Sequence, residues 1–288
     1  MTSLMQISDT HFGTERPAVV EALVHLVHEQ APEVIVVSGD ITQRATRKQF
    51  DAARRFFGRL GNIPMLIIPG NHDIPLFNIV ARLFTPLRNY QRACGADLEP
   101  VFISARWLIA CVNTTRAYRH KDGEVSSAQT HRVADLLKTA SPGQLRIVVV
   151  HQPVAVIGDK DRTNLLHGRD AAVHCWAAAG ADLVMGGHIH VPYVLPLHEC
   201  YDNLPGRHWA VQAGTAVSTR VRQGTVNSVN LIRYPGSQQP RHCILERWDC
   251  AEPELGFQCF SSHELACGLE NNQLFKAYQS CNDNLTKL

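Results

Sequence analysis

The stretch Ile67-Ile68-Pro69-Gly70-Asn71-His72-Asp73 joins an apolar run to three polar side chains. Met65 to Ile68 has the composition of a short buried strand, and Pro69-Gly70 is typical of the turn that ends one. An amide, an imidazole and a carboxylate follow in succession. Sheet proteins place chemistry in such loops, because the strand is rigid and the loop is free to vary. Taken alone, the three residues also fit ordinary turn chemistry, in which Asn and Asp bond their own backbone.

The composition is that of a globular chain. The 288 residues carry a formal net charge of +2 and are 45% hydrophobic and 19% charged, which suits one large α/β core. The weak charge argues against a nucleic-acid partner. No window reaches the roughly eighteen apolar residues of a transmembrane segment, and no export signal precedes the first strand. The nine cysteines form no Cys-x-x-Cys pair, so we expect reduced thiols and a cytoplasmic protein.

Strands and helices alternate in the first part of the chain. Helical periodicity at Pro17 to Gln30, and from about Arg44 to Leu60, separates apolar runs that predict strands. This alternation favours right-handed crossovers and a largely parallel sheet. From Tyr193 to Trp248 the pattern is β-like, with turn signals between the runs. The predicted strands of the alternating part are Leu4–Ser8, Val34–Ser38, Met65–Ile68, Leu145–Val150 and Ala181–Met185.

Side chains that can bind metals follow five of these strands. Neighbouring parallel strands bring their carboxyl ends to one edge of a sheet, so we expect the side chains to meet there. In the two pairs separated by one residue, an extended backbone would point both side chains the same way. Carboxylate, imidazole and amide oxygen donors favour Mn, Fe or Zn. The residues concerned are Asp9, His11, Asp40, Asn71, His72, Asp73, His151, His188 and His190.

The order of these loops resembles the calcineurin-like metallophosphoesterase superfamily, whose pattern is Asp-x-His, Gly-Asp, Gly-Asn-His-Asp, a lone His after a strand, and Gly-His-x-His. Every position is filled, from about residue 3 to 250. The spacing is most similar to bacterial class III phosphodiesterases, which include cyclic-AMP phosphodiesterases and glycerophosphodiesterases. The resemblance implies a catalytic domain over residues 1–250, followed by a C-terminal appendage of unknown role over residues 251–288. The matching segments are Asp9-Thr10-His11, Gly39-Asp40, Gly70-Asn71-His72-Asp73, His151 and Gly187-His188-Ile189-His190.

The resemblance also implies the fold and the cofactors. The fold is α/β, a four-layer αββα sandwich of two mixed β-sheets flanked by helices. The cofactors are two divalent metal ions, Mn, Fe or Zn, with Asp40 bridging them. A hydroxide between the two ions would attack the phosphorus of the substrate. The first ion would be held by Asp9, His11, Asp40 and His190, and the second by Asp40, Asn71, His151 and His188.

His72 is not a metal ligand in this scheme. It would stabilise a phosphoryl oxygen or protonate the leaving alkoxide, and Asp73 would orient its ring. Together with Asn71 it would also contact the substrate.

Two further segments have two interpretations each. Arg116, Arg119 and Lys121 follow a strand end, as the motif loops do, so they bind the anionic substrate or form a solvated loop. Ile74 to Tyr90 is apolar and basic together. It is either a core helix with two solvated arginines or a cap beside the site.

The leading hypothesis is a metal-dependent phosphodiesterase that acts on a small phosphodiester, either a cyclic nucleotide or a glycerophosphodiester. The same site would serve a phosphomonoesterase, including a protein phosphatase, or a hydrolase of a UDP-lipid pyrophosphate if Ile74 to Tyr90 forms an apolar cap. A nuclease fits the modest charge less well. A non-catalytic binding scaffold on the same fold is the alternative from another class, but such family members lose ligands or His72, and here none is lost. The physiological substrate and homo-oligomer formation stay open.

Overall fold

Two six-stranded sheets form the centre of the computed structural model, which describes residues 1–222, 224–236 and 240–268. In chain order the strands are β1 (Thr2–Ile7), β2 (Val34–Ser38), β3 (Met65–Ile68), β4 (Val101–Ile103), β5 (Trp107–Cys111), β6 (Leu145–Val149), β7 (Leu183–Gly186), β8 (Tyr193–Pro196), β9 (Trp209–Gln212), β10 (Asn227–Tyr234), β11 (Arg241–Cys250) and β12 (Gln258–Cys267).

Both sheets are mixed. The first has the order β12-β11-β10-β1-β2-β3 and the second β4-β5-β6-β7-β9-β8. In the first sheet β1, β2 and β3 run parallel. On the other side of β1, the late strands β10, β11 and β12 are added in turn, each antiparallel to its neighbour. In the second sheet β5, β6, β7 and β9 run parallel, with an antiparallel strand at each edge. The parallel strands of both sheets therefore supply the carboxyl ends at which the motif loops begin.

Helices cover the outer face of each sheet. The side chains of α1, α2 and α4 pack against the first sheet, and those of α5 and α6 pack against the second. This arrangement is the predicted four-layer sandwich, so the fold class is confirmed. Among the described residues, no helix has the length and hydropathy needed to cross a membrane. The helices are α1 (Pro17–Gln30), α2 (Arg47–Phe57), α3 (Ile79–Phe84), α4 (Arg88–Cys94), α5 (Ser127–Lys138), α6 (Arg169–Ala178) and α7 (Leu197–Cys200).

The strand β2 shows why a continuous apolar run suits this architecture. All five of its residues are buried. Ile35 and Val37 pack among the helices of the first sheet, whereas Val34 and Val36 face the second sheet. Successive side chains of a strand point to opposite faces, so a strand between two cores must be apolar at nearly every position. The predicted strands Val34–Ser38 and Met65–Ile68 have the observed bounds.

The segment from Ile74 to Tyr90 does not form the core helix that is one of its two interpretations. It contains α3 and the start of α4, which are separated by Thr85-Pro86, because proline cannot continue the hydrogen bonding of a helix. No residue of α3 is buried. Tyr90 of α4 is the buried anchor, and its hydroxyl donates a hydrogen bond of 2.7 Å to the carbonyl oxygen of Ile67.

Part of the predicted appendage belongs to the first sheet. Residues 258–267 form β12, which pairs antiparallel with β11 along its length. The strand lies at the edge of the sheet, and most of its side chains before Leu265 are exposed, so its sequence is polar and lacks a strong apolar signal. The sheet thus continues past the boundary placed at residue 250. Residues 269–288 of the predicted appendage lie outside the described residues.

A buried ion pair joins the two sheets. The guanidinium of Arg241 in β11 makes two hydrogen bonds, of 2.7 and 2.8 Å, to the carboxylate of Asp182, just before β7. Both side chains are fully buried. The same carboxylate accepts the backbone N–H of Arg146 in β6 at 2.8 Å.

We expect Arg241→Met to lower the free energy of unfolding by about 3–5 kcal/mol, because it leaves the Asp182 charge buried without its partner. Adding Asp182→Asn should restore much of this loss, since the charge is removed and an acceptor for Arg146 is kept. Urea unfolding of both variants measures the effect. A double variant as unstable as the single one would contradict this explanation.

Candidate metal centre

The motif loops of both sheets meet at one place. Asp9 and His11 follow β1, Asp40 follows β2, and residues 71–73 form a 3-10 turn after β3. From the second sheet, His151 follows β6, and the loop 187–190 follows β7. The site therefore lies where the carboxyl ends of parallel strands from two sheets face each other.

The backbone of this site is left-handed at five of the seven predicted ligands. The φ angles are 50° at Asp9, 41° at His11, 49° at Asp40, 73° at His188 and 61° at His190. The expectation of extended backbone at the two spaced pairs is therefore wrong. Left-handed non-glycine residues are sparse and strained, and they cluster at functional sites. Backbone hydrogen bonds between the loops stabilise this strained conformation. The N–H of Asp9 donates to the carbonyl oxygen of Gly39 at 3.1 Å, and the N–H of His11 donates to the carbonyl oxygen of Asp40 at 3.0 Å.

The first group of donors consists of Asp9, His11, Asp40 and His190. All four side chains are buried, and one ligand atom from each lies within 4.8 Å of the others. The Nε2 atoms of His11 and His190 are 3.0 Å apart. His190 Nε2 lies 3.3 Å from Asp9 Oδ1, and His11 Nε2 lies 3.6 Å from Asp40 Oδ2. This group is the same as the first ligand set implied by the resemblance.

The second group consists of Asp40, His151 and His188, again buried and within the same distance limit. His151 Nε2 lies 3.3 Å from Asp40 Oδ1 and 3.3 Å from the side-chain oxygen of Asn71. Asp40 belongs to both groups and presents a different carboxylate oxygen to each. His188 and His190 are directed to different groups, so this pair spans the site and does not converge on one point.

These donors fit metal ions better than they fit each other. His151 donates its Nδ1–H to the carbonyl oxygen of Ser38 at 2.8 Å, so in the neutral ring the Nε2 lone pair faces two acceptor oxygens, those of Asp40 and Asn71. Both ring nitrogens of His188 are buried without a hydrogen-bond partner among the described residues. A buried polar atom without a partner is costly. A cation would satisfy each of these groups at once.

The buried carboxylates create a negative electrostatic potential in the site, which favours positive charge there. Burial alone would raise the pKa of Asp40, yet the imidazoles of His151 and His72 hold that pKa well below its usual range. Burial lowers the pKa of His151, but Asp40 outweighs it and raises the value to about 9. Burial and the neighbouring His151 lower the pKa of His188 to about 3, so its imidazole stays neutral, which is the form that binds metals.

Two motif glycines are required because the chain passes close to the ligands. A Cβ atom at Gly70 would lie 2.1 Å from Asp40 Oδ1. A Cβ atom at Gly187 would lie 2.0 Å from the hydroxyl of Ser8 and 2.4 Å from Asp9 Oδ2. Neither separation is sterically allowed, so larger residues would displace the carboxylates.

The ring of His72 is oriented by Gln43 and not by Asp73 as predicted. His72 donates its Nδ1–H to the carbonyl oxygen of Gln43 at 3.0 Å. The Asp73 carboxylate instead accepts the backbone N–H groups of Ile41, Thr42 and Gly70 at 2.8–3.0 Å, as well as the hydroxyl of Thr42. Asp73 therefore ties two motif loops together, and burial and the nearby Asp40 raise its pKa to about 6.

Gln43 and Arg220 are site residues that the motifs do not include. The carbonyl oxygen of Arg220 accepts the Nδ1–H of His190, and its guanidinium donates to the side chain of Gln43 at 3.3 Å. Gln43 lies in the same loop as the Gly39-Asp40 motif, so its position was a usable signal. Arg220 is far from every motif in the sequence, and only the folded chain brings it to the site.

The three predicted substrate-binding cations have different surroundings. Arg116 donates to the carbonyls of Asn113 and Thr115 and to Gln129. Arg119 forms an ion pair with Glu124 at 2.7 Å. Lys121 is exposed, and its carbonyl oxygen accepts the side-chain N–H of Gln152, the residue after His151, at 3.3 Å.

The fold and the buried Asp and His groups define a metallophosphatase-type hydrolase. Residues 2–192 match the model of the calcineurin-like phosphoesterase family, and the chain belongs to that family. The family predicted from the loops is confirmed, and with it the enzyme class of phosphoric ester hydrolases.

Two curated proteins show sequence similarity. Over 207 residues the chain is 24% identical to a probable cyclic nucleotide phosphodiesterase of Synechococcus sp., covering 67% of this chain and 74% of the relative. Over 83 residues it is 36% identical to the glycerophosphodiester phosphodiesterase GpdQ of Enterobacter lignolyticus. This second match covers 24% of this chain and 29% of the relative.

Solved structures with the same fold include two phosphatases. The purple acid phosphatase PPD1 from yellow lupin has a TM-score of 0.63 at 11% identity, covering 92% of this chain and 53% of that one, so this chain spans about half of its length. A dimetal phosphatase from Danio rerio has a TM-score of 0.59 at 13% identity, covering 92% and 99%. At these identities the similarity shows the fold alone.

Binding of a divalent metal should stabilise the folded protein, because the donor groups exist only in the folded state. Treatment with a chelator should lower the Tm, and added Mn²⁺ or Zn²⁺ should restore it. In Asp40→Asn, which loses the shared negative charge, the response should be much smaller. Thermal unfolding and elemental analysis measure both effects. An equal Tm response in the variant would remove Asp40 from the metal centre.

Proposed function

We propose that this chain is a two-metal phosphodiesterase that hydrolyses a small phosphodiester, either a cyclic nucleotide or a glycerophosphodiester. The observation that carries the proposal is Asp40, which directs one carboxylate oxygen to each of two buried groups of donors. The two curated relatives, which are named as phosphodiesterases, support the diester over the monoester.

The proposed ligands are the two implied sets. Asp9, His11, Asp40 and His190 hold one ion, and Asp40, Asn71, His151 and His188 hold the other. Imidazole, carboxylate and amide donors favour Mn, Fe or Zn. When bound, two such ions supply a hydroxide nucleophile at neutral pH and neutralise charge on the phosphoryl oxygens.

Hydrogen bonds from neighbouring residues hold the proposed ligands in the orientation that metal binding requires. The carbonyl oxygens of Ser38 and Arg220 accept the Nδ1–H groups of His151 and His190. A carbonyl can only accept, so each ring keeps a proton on Nδ1, and Nε2 is the atom that would give its lone pair to a metal ion. The Asp9 carboxylate is held in turn by the Ser8 hydroxyl at 2.6 Å and the backbone N–H of His188.

His72 is the proposed proton donor to the leaving alkoxide. Its Nδ1–H is committed to Gln43, so Nε2 is the atom that can hold or release a proton. The ring lies 4.9 Å from that of His11, centroid to centroid, and lines a cleft at the surface together with Asn71, Arg82 and His120. This position, beside the donors but not among them, suits a general acid.

Among the predicted basic residues, Lys121 is the one that we retain for substrate binding. Arg116 and Arg119 already have partners within the loop. We also propose a cytoplasmic location in a bacterium. The location is supported by the eight cysteines among the described residues, none of which forms a disulfide.

His72→Ala should lower kcat by about 10²–10⁴-fold for a diester with an alkoxide leaving group, because the proton donor is lost. The loss should be much smaller for bis-p-nitrophenyl phosphate, whose p-nitrophenolate leaves without a proton. Metal content, measured by elemental analysis, should stay near that of the wild type. Steady-state kinetics in Mn²⁺ with a glycerophosphodiester and the nitrophenyl diester measure the difference.

His120→Ala is the matched control for His72→Ala, since His120 lines the same cleft and lies outside every motif. Equal losses for both leaving groups would make His72 an electrostatic group and not an acid. Faster wild-type hydrolysis of p-nitrophenyl phosphate than of the diesters would overturn the phosphodiesterase proposal in favour of a phosphomonoesterase. No hydrolysis of any phosphoester by the metal-loaded protein would favour the binding scaffold.

Lys121→Ala should raise KM several-fold with a smaller effect on kcat, because an exposed cation contributes binding that is shared by the ground state and the transition state. Arg119→Ala, which removes an arginine already paired with Glu124, should change KM much less. Kinetics on the best diester compare the two variants. Equal KM values for Lys121→Ala and the wild type would show that the loop is merely solvated.

A further inference from the structure

The helix α3 exposes all of its large apolar side chains, whereas Ala81 and Arg82 are half-buried. None of its six residues is buried. Ile79, Val80, Leu83 and Phe84 are 67%, 69%, 69% and 79% exposed, and Phe77, just before the helix, is 77% exposed. So short a helix is unstable by itself in water, because nucleation is costly and few hydrogen bonds follow it. A helix of this length that leaves all its large apolar side chains uncovered therefore indicates a partner that covers them.

Exposed apolar residues are concentrated here. Of the thirteen large apolar side chains that are exposed in the described part of the chain, five belong to residues 77–84. Scattered exposed apolar residues are ordinary, whereas a contiguous group marks a binding surface. We call Phe77, Ile79, Val80, Leu83 and Phe84 the apolar ridge.

The surroundings of the ridge are basic. Residues 74–95 contain three arginines and no Asp or Glu, and the segment 116–121 contains Arg, Arg and Lys. Arg92 and Arg119 form ion pairs with Asp51 and Glu124. The other four cations are in no ion pair among the described residues: Arg82, Arg88, Arg116 and Lys121. The guanidinium of Arg44 lies 5.2 Å from the centroid of the Phe77 ring. Arg82 donates to the carbonyls of Pro75 and Arg119, which joins α3 to the basic segment without neutralising its charge.

We propose that the apolar ridge docks this protein on an anionic phospholipid surface. The ridge side chains protrude, so they are suited to enter the acyl region of a leaflet, while the surrounding cations lie at the level of the headgroups. This combination of apolar and basic residues is complementary to a negatively charged membrane. A second copy of the chain fits less well, because a twofold interface would set each arginine cluster against its own copy.

Docking at the ridge would also place the cleft next to the headgroups. Leu76, which precedes the ridge, and Arg82, which lies between Val80 and Leu83 in sequence, line the same cleft as His72. The ridge and the mouth of the candidate site therefore share one side of the molecule. Membrane docking does not require the chain to be a phosphodiesterase, and it can be tested separately.

The test is flotation of the full chain with vesicles of phosphatidylcholine containing about one third phosphatidylglycerol. The wild type should float with these vesicles, much less with phosphatidylcholine alone, and less at high salt. Leu83→Asp should weaken vesicle binding by at least about tenfold, since it removes a large apolar side chain and adds a repelled charge. Leu255→Asp is the matched control, because Leu255 is 66% exposed and lies outside the ridge. It should float like the wild type.

Both variants should fold, since both side chains are exposed, and circular dichroism with bis-p-nitrophenyl phosphate hydrolysis checks this. A wild type that does not bind the anionic vesicles would overturn the proposal. Equal losses of vesicle binding in Leu83→Asp and Leu255→Asp would show that only the net charge of the protein matters, and this result would overturn the proposal as well. If sedimentation shows a wild-type dimer that Leu83→Asp converts to monomer, the ridge is instead an interface between copies.

Discussion

The carboxylate of Asp40 is the constraint on which the site depends. It is almost completely removed from water, and its two oxygens face His11 and His151 at 3.6 and 3.3 Å. A buried carboxylate that lacks compensating charge is costly. The backbone N–H of His72 supplies one hydrogen bond at 2.8 Å, and the remaining charge calls for cations in both groups of donors. The same carboxylate therefore explains why the donors come in two sets.

The donor side chains converge because the backbone of their loops adopts a strained conformation. Left-handed residues cost on the order of 1–3 kcal/mol each, and five predicted ligands are in this conformation. Strain of this size persists only where the surroundings fix the loops firmly. Here the loops leave strands that are buried between three apolar cores, and the Asp73 carboxylate bonds three backbone N–H groups from two of the loops.

The candidate site is buried and rigid, whereas the apolar ridge is exposed. Ligands such as Asp9 and His151 are fully buried and are held by bonds from neighbouring loops. The helix α3 begins only six residues after Asp73, yet it contributes nothing to a core. A rigid donor cluster beside a protruding apolar segment suits an enzyme that keeps its catalytic groups in place while the exposed segment binds a partner surface.

The sequence by itself indicated the alternation of strands and helices and the positions of the candidate donors, because both are local patterns, and the four layers followed from the family resemblance that these motifs carry. The apolar run at Val34–Ser38 indicates a strand between two cores, and short motifs mark the ends of such strands. Only the tertiary structure decided which groups meet across long separations: Gln43 against His72, Arg220 against His190, and Glu124 against Arg119. It also decided that α3 is exposed, because an apolar segment has the same sequence pattern whether it faces a core or a partner. Contacts between distant residues and the direction in which a face points are properties of packing, and no local pattern contains them.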